Sequence, residues 1–140
     1  MTNLFSAGIE NMVRRRVKRV ALTAGAASAF AFAWQNPEDK KIIVTRVVVD
    51  RTTAGGTATA VLDVGPAANA TTHADTLIDG LDLNATGVAD NVSDGGTNGK
   101  ARCKVDEKDG TTDYITGQIL TEKADNLVGY AYIEYFLVED

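Results

Sequence analysis

The chain has 140 residues, 44% hydrophobic and 24% charged, and a formal net charge of −5. That length suits one globular domain burying about two-thirds of its unfolded surface. The single cysteine, Cys103, and the single histidine, His73, exclude a disulfide framework and a thiolate metal cluster, and leave any catalytic triad one imidazole.

The charge is unevenly spread. Residues 1–20 carry +4, from Arg14, Arg15, Arg16, Lys18 and Arg19 against Glu10, which leaves −9 on the remainder. In the same stretch Leu4, Ile9, Met12, Val13, Val17 and Val20 recur at roughly helical spacing, with the basic side chains opposite. Arg16 to Val20 also alternates, so a short helix and an extended arm both fit. The expectation is a basic N-terminal arm over residues 1–24 and a β domain over 25–140.

Residues 14–33, "RRRVKRVALTAGAASAFAFA", have the outline of an export signal: a basic cluster, an apolar run, then small residues. The run is mostly Ala, Gly, Thr and Ser, too weakly apolar for a signal core and too short to span a bilayer. In addition, Phe30, Phe32 and Trp34 alternate with Ala29, Ala31 and Ala33. That period of two predicts a strand with its aromatic side toward the core. The segment is read as part of the fold.

The following elements all read as β. A turn at Asn36-Pro37 precedes "KIIVTRVVVDRTT" (41–53), whose β-branched residues on both faces predict a central strand. Gly55-Gly56 and the alternating "TATAVLDVG" (57–65) suggest that these two strands form a hairpin. Residues 66–100 are dense in Asn, Asp, Thr and Gly, predicting ordered loops with one or two short strands. Strands resume at 101–107 and, after a Lys108-Asp109-Gly110 turn, at 113–120. In the last, 127–139, Ala131, Ile133, Tyr135 and Leu137 oppose Tyr130, Tyr132, Glu134 and Phe136. Seven or eight strands with regular turns predict an all-β, jelly-roll-like sandwich.

Candidate chemistry is sparse. Asp75, Asp79, Asp82, Asp90 and Asp94, with Asn84 and Asn91, could hold calcium, yet the spacing of a calcium loop is missing and such residues commonly build turns. No metal or cofactor is expected. Ser6, Ser28 and Ser93 lack a nucleophile elbow, and "DGGTNGK" (94–100) lacks phosphate-loop spacing. Paired carboxylates suited to glycoside hydrolysis have no aromatic groove beside them, Trp34 being the lone tryptophan. The triplets at Asn69, Asn84 and Asn91 matter only in a secretory pathway. No enzyme is expected, and the lone His73 reads as a surface residue.

Arg14, Arg15, Arg16, Lys18 and Arg19 form the partner-docking candidate. They could grip phosphates, but no aromatic stacking platform accompanies them and the acidic remainder repels a polyanion. An acidic protein surface is the better fit.

The phrases "FAFAWQNPEDKKIIVTRVVVDRTTAGGTA", "DTLIDGLDLNATGVADN", "GTNGKARCKVDEKDGTTDYITGQI" and "LVGYAYIEYF" resemble the head-decoration or minor capsid proteins of tailed bacteriophages, over residues 25–137. The resemblance implies a jelly-roll-like sandwich on the capsid exterior, bound to the major capsid protein as a trimer, with no catalytic residues. It implies no membrane. Two alternatives remain open: a neck or fibre-base component, and a secreted carbohydrate-binding module using Tyr130 and Tyr132.

Overall fold

A computed structural model describes residues 14–138, and among them there are nine strands, no helix, and hence no helix able to cross a membrane. The first sheet runs in the order β1 (Arg15–Ala21), β9 (Val128–Leu137), β3 (Ile42–Thr53), β6 (Gly87–Asp90). The short β7 (Cys103–Val105) shares the far side of β3, pairing with Ile42–Val44 while β6 pairs with Val48–Arg51. The second sheet runs β2 (Phe30–Gln35), β8 (Tyr114–Leu120), β4 (Val61–Ala67), β5 (Ile78–Asp82). All pairings are antiparallel. The alternation of early and late strands in both sheets is the order of a jelly roll.

The core lies between the sheets. Ile42, Val44, Val47 and Val49 of β3 meet Ala131, Ile133 and Tyr135 of β9 on one side; Leu62, Val64, Ile115 and Ile119 supply the other. Each such valine, leucine or isoleucine, once fully buried, contributes about 1.5–3 kcal/mol of transfer free energy. The faces expected for β9 hold: Ala131, Ile133 and Tyr135 point in, and Tyr130, Tyr132, Glu134 and Phe136 point out, half-buried.

Three expectations are corrected. Residues 41–53 and 57–65 form no hairpin, since β3 and β4 belong to different sheets. Gly55 and Gly56 turn a corner of the sandwich instead, both donating N–H to the Leu83 carbonyl, and a Cβ on Gly55 would collide with the backbone of Leu127. In β2 the alternation breaks, because a register shift lies between Phe30 and Phe32. Ala31 and Phe32 are therefore both buried, and Phe30 stands outside the core. The Phe32 ring fills the space that a Cβ on Gly117 would need.

The third correction concerns the N-terminal segment. Residues 15–21 are neither helix nor arm: they form β1, paired along their whole length with β9. They belong to the sandwich, which therefore starts before residue 25. Their alternation let Val20 pack against the core, and β9 supplied the ladder that a lone strand lacks. Residues 1–13, with the rest of the helix expectation, lie outside the described residues.

Candidate docking surface

Among the described residues β1 is an edge strand, and its register with β9 assigns its side chains to two faces. Arg15, Val17 and Arg19 stand opposite Phe136, Glu134 and Tyr132 on the outer face of the sheet, and Arg16 and Lys18 stand opposite Tyr135 and Ile133. Arg14, Arg15, Arg16, Lys18 and Arg19 are all exposed. All five docking candidates therefore lie on one strand and its lead-in, at one rim of the molecule.

The outer face beside them is aromatic. Tyr130 and Tyr132 have ring centroids 6.4 Å apart, and the Arg19 guanidinium sits 4.6 Å from the Tyr130 centroid. Val17, 57% exposed, lies between Arg15 and Arg19. Arg15 reaches Glu134 at 3.2 Å, an exposed pair of little energetic consequence.

Arg16 has a stronger anchor. Its Nη1 donates to Glu38 Oε1 at 2.5 Å, and the hydroxyl of the fully buried Tyr135 donates to the same oxygen at 3.0 Å. The Asn36-Pro37 turn positions that carboxylate. Buried Asn36 accepts from the Glu38 N–H and donates to the carbonyls of Lys40 and Asp106. Burial pushes Glu38 up, but the hydrogen bonds from Arg16 and Tyr135, with the charges of Arg16 and Lys18, outweigh it and hold its carboxyl below the usual range. Burial first, and the Glu38 carboxylate second, push the Tyr135 phenol up to about 12.

A pH dependence follows from Glu38. Its folded pKa is depressed, so the stability it contributes is present above the unfolded carboxylate value and is lost as pH falls through the folded one. Glu38→Gln should cost about 1 kcal/mol at neutral pH. It should also remove part of the acid-side slope in urea unfolding between pH 6 and pH 3. An unchanged slope would mean that Glu38 does not tie β1 to the body.

The aspartates divide. Asp75 and Asp79 come together with Asp63, a buried residue of β4 absent from the expected set, with carboxylate oxygens within 4.8 Å of one another. These three are the residues that could hold a cation. They are already engaged: His73 Nε2 lies 2.7 Å from Asp63 Oδ2, Gly80 N–H donates to Asp63 Oδ1, and Asn98 donates to both Asp75 and Asp79. With one ligand oxygen from each, the three carboxylates also supply at most half of the six to eight oxygens calcium takes. Asp82, Asp90 and Asp94 lie apart and cap turns through backbone N–H groups. His73 thus has a partner, although its ring is 44% exposed.

Two further features bear on chemistry. Burial pushes the Cys103 thiol up to about 12, so it stays protonated and unreactive at neutral pH. A pocket of about 190 Å³ lined by Asp39, Lys40, Lys41 and Glu107 is smaller than the roughly 300–1,000 Å³ of small-molecule sites.

No protein family matches the chain, and no curated protein matches it. Among solved structures it is similar to a chain of the cyanophage Pam1 capsid asymmetric unit, at 19% identity over 90% of this chain and 85% of that one, with a TM-score of 0.46.

Sequence reasoning found the basic residues but missed the groups that hold them, Glu38, Glu134 and Tyr135. The only local signal was the acid placed directly after the Asn36-Pro37 turn.

Proposed function

We propose that this chain is a non-catalytic structural protein of a phage virion, docking on the exterior of the head against the major capsid protein. One observation carries the reading: Arg14, Arg15, Arg16, Lys18 and Arg19 line one exposed rim of a molecule whose residues 21–140 carry −9. A rim of one sign on a body of the other favours an acidic protein surface over nucleic acid. The class of partner, and assembly as a trimer at local three-fold positions, come from the sequence resemblance to head-decoration proteins. Binding only the assembled lattice stabilises it by mass action, and three linked contacts raise the effect. A stacking site for sugars is disfavoured, because Arg19 covers a face of Tyr130.

The test is co-sedimentation with purified capsids, followed by cryo-electron microscopy. The side chains of Arg14 and Lys18 make no hydrogen bond or close ion pair among the described residues, although the Lys18 charge acts on Glu38 at longer range, whereas Arg15 and Arg16 hold Glu134 and Glu38 directly. Arg14→Glu with Lys18→Gln should therefore weaken binding about tenfold or more and lower melting only slightly, Lys18 being the smallest of the influences on Glu38. Added salt should weaken the parent protein in the same direction. Equal binding by parent and variant would overturn docking through this rim. Density confined to one vertex would replace decoration with a neck or fibre-base role.

A further inference from the structure

The free side of β1 presents backbone as well as charge. The N–H of Leu22, one residue past the strand, donates to the Gly129 carbonyl at 2.9 Å. Inter-strand bonds in an antiparallel pair recur at every second residue. The N–H and C=O groups of Arg16, Lys18 and Val20 therefore face β9, and those of Arg15, Val17, Arg19 and Ala21 face away. Thr23, next in that outward series, donates to the Ala31 carbonyl at 2.7 Å, as this phase requires. Among the described residues no strand lies on the outward edge of β1.

An open edge invites pairing, and proteins commonly blunt such edges with charge. Here all the charges have one sign, so a second copy of β1 would bring Arg and Lys against Arg and Lys, which is destabilising. An acidic strand would meet the opposite result. We infer that β1 is an acceptor for strand addition by an acidic extended segment of the docking partner. This rests on the docking role proposed above and specifies its mode.

The register dictates the segment's pattern. Residues opposite Arg15 and Arg19 on the outer face, and opposite Arg16 and Lys18 on the inner one, should be acidic. The residue opposite exposed Val17 should be apolar. A run Glu-Glu-Val-Glu-Glu satisfies all five positions in either direction. In the antiparallel direction its central residue and Val17 would exchange both backbone hydrogen bonds, the contact that gives strand addition its affinity.

Two peptides separate pairing from charge alone: Thr-Glu-Glu-Val-Glu-Glu-Thr, and the same peptide with proline at the centre. Both carry the same charge, but the second lacks the central N–H. Each is titrated into the isotope-labelled full chain, with affinity and amide hydrogen exchange read by NMR. The valine peptide should slow exchange at Val17 and Arg19 and bind at least tenfold more tightly than the proline peptide. Equal affinities, or no protection at Val17 and Arg19, would overturn strand addition. Capsid co-sedimentation of Val17→Pro, whose lost N–H faces away from β9, gives the second reading. Binding weakened with melting retained supports the inference, and parental binding by a variant with retained melting opposes it. If the parent chain itself fails to bind capsids, the docking role falls, while the peptide titration still decides whether β1 accepts an acidic strand.

Discussion

Tyr135→Ala should destabilise the fold by about 3–5 kcal/mol, the cost of removing a buried aromatic side chain and leaving its cavity. Tyr135 is fully buried in β9, the strand that joins β1 to β3. Its ring lies 5.4 Å from that of Trp34 in the opposite sheet, so it ties the two layers together. Its hydroxyl holds the Glu38 carboxylate that also receives Arg16. Domains of this kind are stable by about 5–15 kcal/mol, so the loss consumes roughly a fifth or more of the total. Tyr135→Phe separates the two roles. It keeps the ring and loses a hydrogen bond to a charged acceptor, which should cost about 1.5 kcal/mol. Urea unfolding of both variants measures the division. If Phe costs as much as Ala, the hydroxyl rather than the ring is the dominant contribution, and the packing argument fails.

Arg51→Met should cost about 2–3 kcal/mol through a different mechanism. Arg51 sits on β3 with only 7% of its surface exposed, and its bonds among the described residues go to carbonyls rather than carboxylates. Its Nε donates to Gly87 at 3.2 Å and its Nη1 to Asp82 at 2.5 Å. Asp82 ends β5 in the second sheet, and Gly87 begins β6 in the first. The guanidinium thus clamps the sandwich at the edge opposite β1. Methionine replaces its volume but leaves both carbonyls without their donor. Arg51→Lys keeps the charge but lacks the planar fork, and should fall between parent and methionine variant. Equilibrium unfolding within 0.5 kcal/mol of the parent for Arg51→Met would show that the clamp carries no net stability. Thermal melting should rank the variants in the same order.

These predictions rest on groups that differ in how visible they are in the sequence. The alternation of Tyr130 to Leu137 reveals which β9 side chains face the core, because successive residues of a strand point to opposite sides whatever the partner. The β-branched run of β3, the turn at Asn36-Pro37 and the basic cluster are legible for the same reason: each reflects chemistry within a few residues. On those grounds the amino-acid sequence alone determined an all-β sandwich with a lopsided charge.

Pairing was decided elsewhere. Period two names a face and not a neighbour, so β3 and β4 read as a hairpin although they lie in different sheets. The shift between Phe30 and Phe32 depends on how Phe32 fills the space above Gly117, which belongs to β8. Asp63 meets Asp75 and Asp79 only because β4, the loop after it and β5 fold together. Above all, the basic segment became an edge strand by pairing with the far end of the chain, Arg15 and Glu134 being 119 residues apart. Such contacts depend on the closure of long loops and the packing of whole sheets, and no local pattern carries that information. The sequence determined the charge and the faces; the tertiary structure decided that the charge would line an open edge.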